Sequence, residues 1–113
     1  MYRAAALAVL LSLTAAPALA QDGAQLFNLQ CKMCHGGSVM GPELAGVAGG
    51  EIAAKPGFVY SPALKAKGGT WTDANLDAFL KAPAQFAPGT KMLIAVPADA
   101  SRAAIIDYLK TLK

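Results

Sequence analysis

Two cysteines and a histidine stand together in Cys31-Lys32-Met33-Cys34-His35. This is C-x-x-C-H, the spacing that attaches a c-type haem. Two thiols about one helical turn apart can each add to one vinyl group on a haem edge. The next residue, His35, then turns its imidazole toward the iron from one face. Both cysteines end as thioethers and are lost to other chemistry. The alternatives fit less well. A structural zinc site needs four ligands, and the chain holds 2 Cys and 1 His with no second pair. A thioredoxin-like redox pair belongs in a βαβ context, whereas strand signals are almost absent here. A Cys31–Cys34 disulfide would close a very short loop and stabilise little.

Iron also needs a second axial ligand or an open position, and that choice separates a carrier from a catalyst. With no second histidine, the candidates apart from Met1 are Met33, Met40 and Met92. Met33 lies between the two attached cysteines and cannot swing over the opposite haem face. Met40 follows His35 so closely that it would have to double back around the ring edge. Met92 comes just after the stiff Pro88-Gly89 turn and is free to approach from the other side. A methionine's ordinary fate is core packing, but the Pro88-Gly89-Thr90-Lys91-Met92 context points to Met92 as ligand.

Helices must position these groups. Asp22 can cap a first helix with Gln25 as its reciprocal partner, and Leu26, Phe27 and Leu29 give it an apolar face before Cys31. From Gly36 to Gly57 the chain is glycine-rich and without period, hence loop. Ser61, Pro62 and Gly68 read as cap, first helical position and stop of a short helix. Thr72 can cap another, with Leu76, Phe79 and Leu80 on one face and Pro83 ending it. Pro88-Gly89 is a turn. The last helix is expected from Asp99 to the end of the chain. Its stripe is Ile105, Ile106, Leu109 and Leu112, with Lys110 and Lys113 in the final turn, where the helix dipole favours cations. The expected fold is all-α, about four to five short helices and long loops wrapped around one haem.

The 113 residues bound the chain to one domain, and 55% hydrophobic against 15% charged residues excludes a disordered protein. A pI near 9.0 suggests nucleic acid, but the net charge is only +3 and no block of Lys or Arg forms a phosphate-binding stripe. Arg3, the apolar run Ala4 to Ala16, and Pro17 before Ala18-Leu19-Ala20 make a secretory signal peptide, with cleavage after Ala20. The run is too short to span a bilayer comfortably. Residues 1–20 are thus expected to be removed, leaving a periplasmic domain over 21–113 that is not an integral membrane protein. Export agrees with haem attachment, which takes place outside the cytoplasm.

The mature sequence resembles class I cytochrome c, small bacterial relatives of the mitochondrial protein, over nearly its whole length. Its landmarks are Gly23 and Phe27, CKMCH, GPEL, Tyr60, Trp71, PGTKM and a terminal helix with Tyr108. The resemblance implies one covalently attached haem c with His35 and Met92 as axial ligands of a six-coordinate iron. It implies that the Pro42 carbonyl accepts from Nδ1–H of His35, and that Tyr60, Trp71 and Thr90 hydrogen-bond the haem propionates. Gly23, Phe27, Ile105 and Tyr108 would form the contact between first and last helices. Two positions depart from the pattern. Phe79 replaces a tyrosine that in many relatives reaches the methionine sulfur, and Ile94 replaces a phenylalanine beside the exposed haem edge.

The function implied is a monomeric one-electron carrier and not an enzyme. It would pass electrons from a membrane-bound or periplasmic dehydrogenase or cytochrome complex to an oxidase or similar acceptor. Docking would be steered by Lys32, Lys81 and Lys91, with Lys55, Lys65 and Lys67 as ordinary solvated residues. The alternatives are a dedicated haem subunit of a dehydrogenase complex, or an open-site gas-binding or peroxidase-like protein.

Overall fold

Asp22 begins the first helix as its cap: the carboxylate accepts from the backbone N–H of Ala24 and Gln25 at 3.0 and 3.3 Å. This is from a computed structural model that describes residues 8–10 and 22–113. The leader expected over residues 1–20 and its cleavage after Ala20 lie outside the described residues, apart from 8–10.

Helix α1 spans Gly23–Gln30 and α2 spans Lys32–His35. Cys31 joins them in near-helical geometry, so helical hydrogen bonds run through the junction: Cys31 N–H to Phe27 O at 2.8 Å and His35 N–H to Cys31 O at 3.0 Å. Helix α3, Pro62–Lys67, starts where Ser61 Oγ accepts from Leu64 N–H and stops at Gly68. Helix α4, Asp73–Lys81, starts at Thr72, whose hydroxyl accepts from Asn75 N–H. Helix α5 is Pro83–Phe86 and α6 is Asp99–Thr111.

The all-α expectation holds, with six helices and no strand among the described residues. The extra helix arises at Pro83. A proline cannot continue α4, but its fixed φ suits the first position of a new helix, and it opens α5. The last helix ends at Thr111, not at the chain end; beyond it Leu112 O accepts from Gly46 N–H at 2.8 Å and ties the long loop to α6.

Helix α1 crosses α6 at Gly23. A Cβ there would lie 2.1 Å from the carbonyl oxygen of Ala104, so only glycine allows the approach. Phe27 packs on Tyr108 one turn further along, with ring centroids 5.1 Å apart. The glycine-rich loop is pinned by Trp71 N–H to Gly50 O at 2.7 Å, Gly49 N–H to Trp71 O at 2.9 Å and Ile52 N–H to Gly69 O at 2.9 Å.

The core is assembled from Phe27, Val47, Ile52, Leu64, Trp71, Leu76, Leu80, Val96, Ile105, Ile106 and Leu109. One charged residue joins them. Arg102 is 3% exposed. Its Nε donates to Asp77 of α4 at 2.7 Å, Nη1 donates to the carbonyls of Val96 and Pro97 at 3.0 and 2.8 Å, and Nη2 pairs with Asp99. A buried guanidinium is tolerable only when paired and hydrogen-bonded in this way. The hydrogen bond to Asp77, more than that to Asp99, raises its pKa above the ordinary arginine value, against an opposing effect of burial.

Candidate haem-binding site

The helical turn through Cys31 explains how two thiols reach one wall of a cavity: Cys31 and Cys34 are three residues apart and both line it, as does His35. Burial pushes the Cys31 thiol above its ordinary value, and Cys34 nearby adds to the shift. His35 is fixed by the chain that follows. Its Nδ1 lies 2.9 Å from the carbonyl oxygen of Pro42. A proline carbonyl can only accept, so Nδ1–H is the donor, the tautomer that in the neutral ring leaves the Nε2 lone pair for a metal. Gly41 makes this approach possible. A Cβ there would meet the His35 ring at 3.0 Å and the Cys34 carbonyl at 2.9 Å. The sequence reading gave Gly41 no such role, although its place beside Pro42 marks a tight turn.

A stretch without helix also contributes to the lining. Thr90 N–H bonds to Ala87 O at 2.9 Å, and Gly89 takes φ +84°, as a proline–glycine turn requires. Met92 follows, half-buried against the core and lining the same cavity. Met40 also lines the cavity but is 64% exposed, and Met33, at 83% exposed, does not line it.

Pro42, Tyr60, Trp71 and Thr90, the remaining residues singled out in the sequence, all line the cavity too. Trp71 and Thr90 are buried. Burial raises the Tyr60 phenol above its ordinary value, partly offset by a hydrogen bond with the Lys55 backbone. Trp71 belongs to an aromatic cluster with Phe79 at 5.1 Å and Phe86 at 5.7 Å, and Phe79 faces the cavity without a hydroxyl.

Sequence reasoning missed Phe58, which lines the cavity and packs edge-on against Tyr60 at 5.0 Å. It also missed what occupies Lys91, whose ammonium donates to Val59 O at 2.5 Å and sits 5.3 Å from the Phe58 ring centre. No periodic or motif signal announces either contact, because both span the chain between loops. Lys32 and Lys81 are exposed and have no ion-pair partner among the described residues.

The donor set fits a haem. Two thiols and an oriented imidazole share one wall, a thioether lies on the lining, and most of the remaining lining is aliphatic or aromatic. A zinc or similar ion would want a converging cluster of ionisable ligands, and among the described residues no three such side chains are placed to hold a metal ion. No helix of the described residues is long and apolar enough to cross a membrane.

Comparison with known proteins agrees. Residues 20–113 match the Cytochrome c family. The chain is 44% identical over 97 residues to the cytochrome c-type cyt cy of Rhodobacter capsulatus, an alignment covering 82% of this chain and 49% of that protein. It is 44% identical over 96 residues to the cytochrome c of Tetrahymena pyriformis, covering 81% of this chain and 87% of the relative. The chain thus spans about half the length of the Rhodobacter protein and most of the Tetrahymena one. Among solved structures, cytochrome cH from Methylobacterium extorquens superposes with a TM-score of 0.73 at 36% identity, covering 80% of this chain and 99% of that one. With the C-x-x-C-H pair on a helical turn and a fold that is helical and strand-free among the described residues around an apolar cavity, the chain belongs to the cytochrome c family and carries one haem c covalently attached at Cys31 and Cys34.

Proposed function

We propose that this chain is an exported, monomeric one-electron carrier whose iron is held by His35 and Met92. The bound haem would supply a metal that alternates between two oxidation states. The protein's part is to keep both ligands in place in either state, so that little reorganisation accompanies transfer. The observation that carries this reading is that an oriented imidazole and a half-buried thioether line one largely apolar cavity. Methionine ligation also raises the potential relative to harder ligands. Tyr60, Trp71 and Thr90 are the polar groups offered to the propionates, whose burial would be costly without donors.

Donor and acceptor are read as larger redox proteins, a dehydrogenase or cytochrome complex on one side and an oxidase or similar protein on the other. Docking faces of this kind are small, under about 1,200 Å² in total. Lys32 and Lys81 carry the steering charge. Lys91 contributes less, because its ammonium is already engaged by Val59 O. Residues 1–20 act as the export signal, with cleavage after Ala20.

The test is redox cycling of the holoprotein in the presence of carbon monoxide. A carrier cycles reversibly by one electron and leaves the ferrous form unresponsive to carbon monoxide. Ready binding of carbon monoxide would mean an open sixth position and replace the carrier by the gas-binding or peroxidase-like reading.

A further inference from the structure

Residues 92–98 form neither helix nor strand, yet they carry the thioether on which the proposed coordination depends. Their upstream side is held by the Ala87–Thr90 turn and by Lys91 on Val59. Leu93 and Ile94, immediately downstream, line the cavity and are 84% and 53% exposed. The next grip is at Val96, which is held at both ends of its peptide. Its N–H donates to Leu80 O of α4 at 2.8 Å, and its carbonyl accepts from Arg102 Nη1 at 3.0 Å. The same nitrogen donates to the Pro97 carbonyl at 2.8 Å. Pro97 has no N–H of its own, so the carbonyl side is where the chain can be held there.

We infer that Arg102, aimed by Asp77, is a positioning residue for Met92: it closes the downstream end of the 92–98 segment onto α4 and α6. The inference rests on the reading of Met92 as ligand. Arg102 does not itself line the cavity; it acts through the carbonyls of Val96, which does, and of Pro97. Its planar fork allows this, because one edge can bond a carboxylate while another nitrogen serves the carbonyls. Asp77 is the partner that matters. It is half-buried, whereas the Asp99 side chain is 90% exposed and well solvated. The segment's grip on α4 is therefore double, directly through Val96 N–H on Leu80 and indirectly through Arg102 on Asp77.

The test uses the holoprotein carrying Asp77→Asn, Asp77→Glu or Asp99→Asn. Amide hydrogen exchange at Val96 is compared with that at Leu109 in the buried stripe of α6, and the weak red band of methionine on ferric iron is followed during heating. Asp77→Asn should speed Val96 exchange roughly tenfold relative to Leu109, the loss expected for one charge-assisted contact. The red band should then vanish further below global unfolding than in the wild type. Asp77→Glu should restore both, and Asp99→Asn should move neither much. Equal acceleration at Val96 and Leu109, or an unchanged ratio, would overturn the positioning role and leave Arg102 a general stabiliser. A wild-type protein without the red band would refute Met92 ligation and the inference with it. A wild-type protein with the band and a Val96 exchange indifferent to Asp77 would refute the inference alone.

Discussion

The two walls of the haem cavity are built on opposite plans. On the attachment side, Cys31, Cys34, His35 and the Pro42 carbonyl fall within a dozen residues, and the helical turn and one glycine-permitted close approach set their geometry. On the methionine side, a segment without regular structure is suspended between a turn, a lysine on a distant carbonyl and a buried arginine. A wall made of local contacts loosens only when the whole domain does. A wall made of long-range tethers can open by itself at lower cost. The methionine side is accordingly where coordination should be lost first.

The largest effect belongs to the attachment side. Replacing both Cys31 and Cys34 by serine removes the thioether linkages, and the haem signal on a denaturing gel should disappear entirely. Any covalently retained haem would mean that attachment lies elsewhere. Next comes the crossing that carries the attachment helices. Gly23→Ala forces a methyl against the Ala104 carbonyl. It should cost about 1–3 kcal/mol in denaturant unfolding, the usual penalty of overpacking. Because α1 runs directly into Cys31, both walls should loosen together, with the red band and helical signal lost in one transition.

Lys91→Met should act on the other wall alone. It removes one hydrogen bond worth roughly 0.5–1.5 kcal/mol, so the red band should fade at a lower temperature while the main unfolding transition stays nearly in place. A matched shift of both would erase the distinction between the walls. Asp73→Asn should do least. It breaks the exposed pair with Lys110, at 2.6 Å, on neither wall, and no resolvable change in unfolding temperature is expected at neutral pH. The Asp73 hydrogen bond raises the Lys110 pKa above its ordinary 10.5, so whatever the pair contributes is present below that value. It is lost as pH rises through the folded pKa. Wild type and variant should therefore converge in alkaline solution.

The same contrast governs what could be read from the sequence. Caps at Asp22, Ser61 and Thr72 and the stripes of α4 and α6 are local patterns, and they fixed the helices almost to the residue. C-x-x-C-H and PGTKM are local too, and the eight residues they and the family resemblance singled out all line one cavity. Helix α5 is hidden in the sequence because Pro83 marks the stop of α4, while a proline serves equally as a start. Gly41 has its role from the ring it passes over, which no spacing rule encodes. Arg102 escaped altogether. Between Ser101 and Ala103 on an amphipathic helix it looks like a solvated charge, and only the arrival of Asp77 and the Val96 and Pro97 carbonyls makes it a core residue.

The central claim is that Met92, and not its neighbour on the lining Met40, faces His35 across the iron. The direct test is the red band of the oxidised holoprotein in the wild type, Met40→Leu and Met92→Leu. The band should be present in the first two and absent from Met92→Leu, which should also bind carbon monoxide once reduced. A band that survives Met92→Leu or vanishes in Met40→Leu would contradict the assignment.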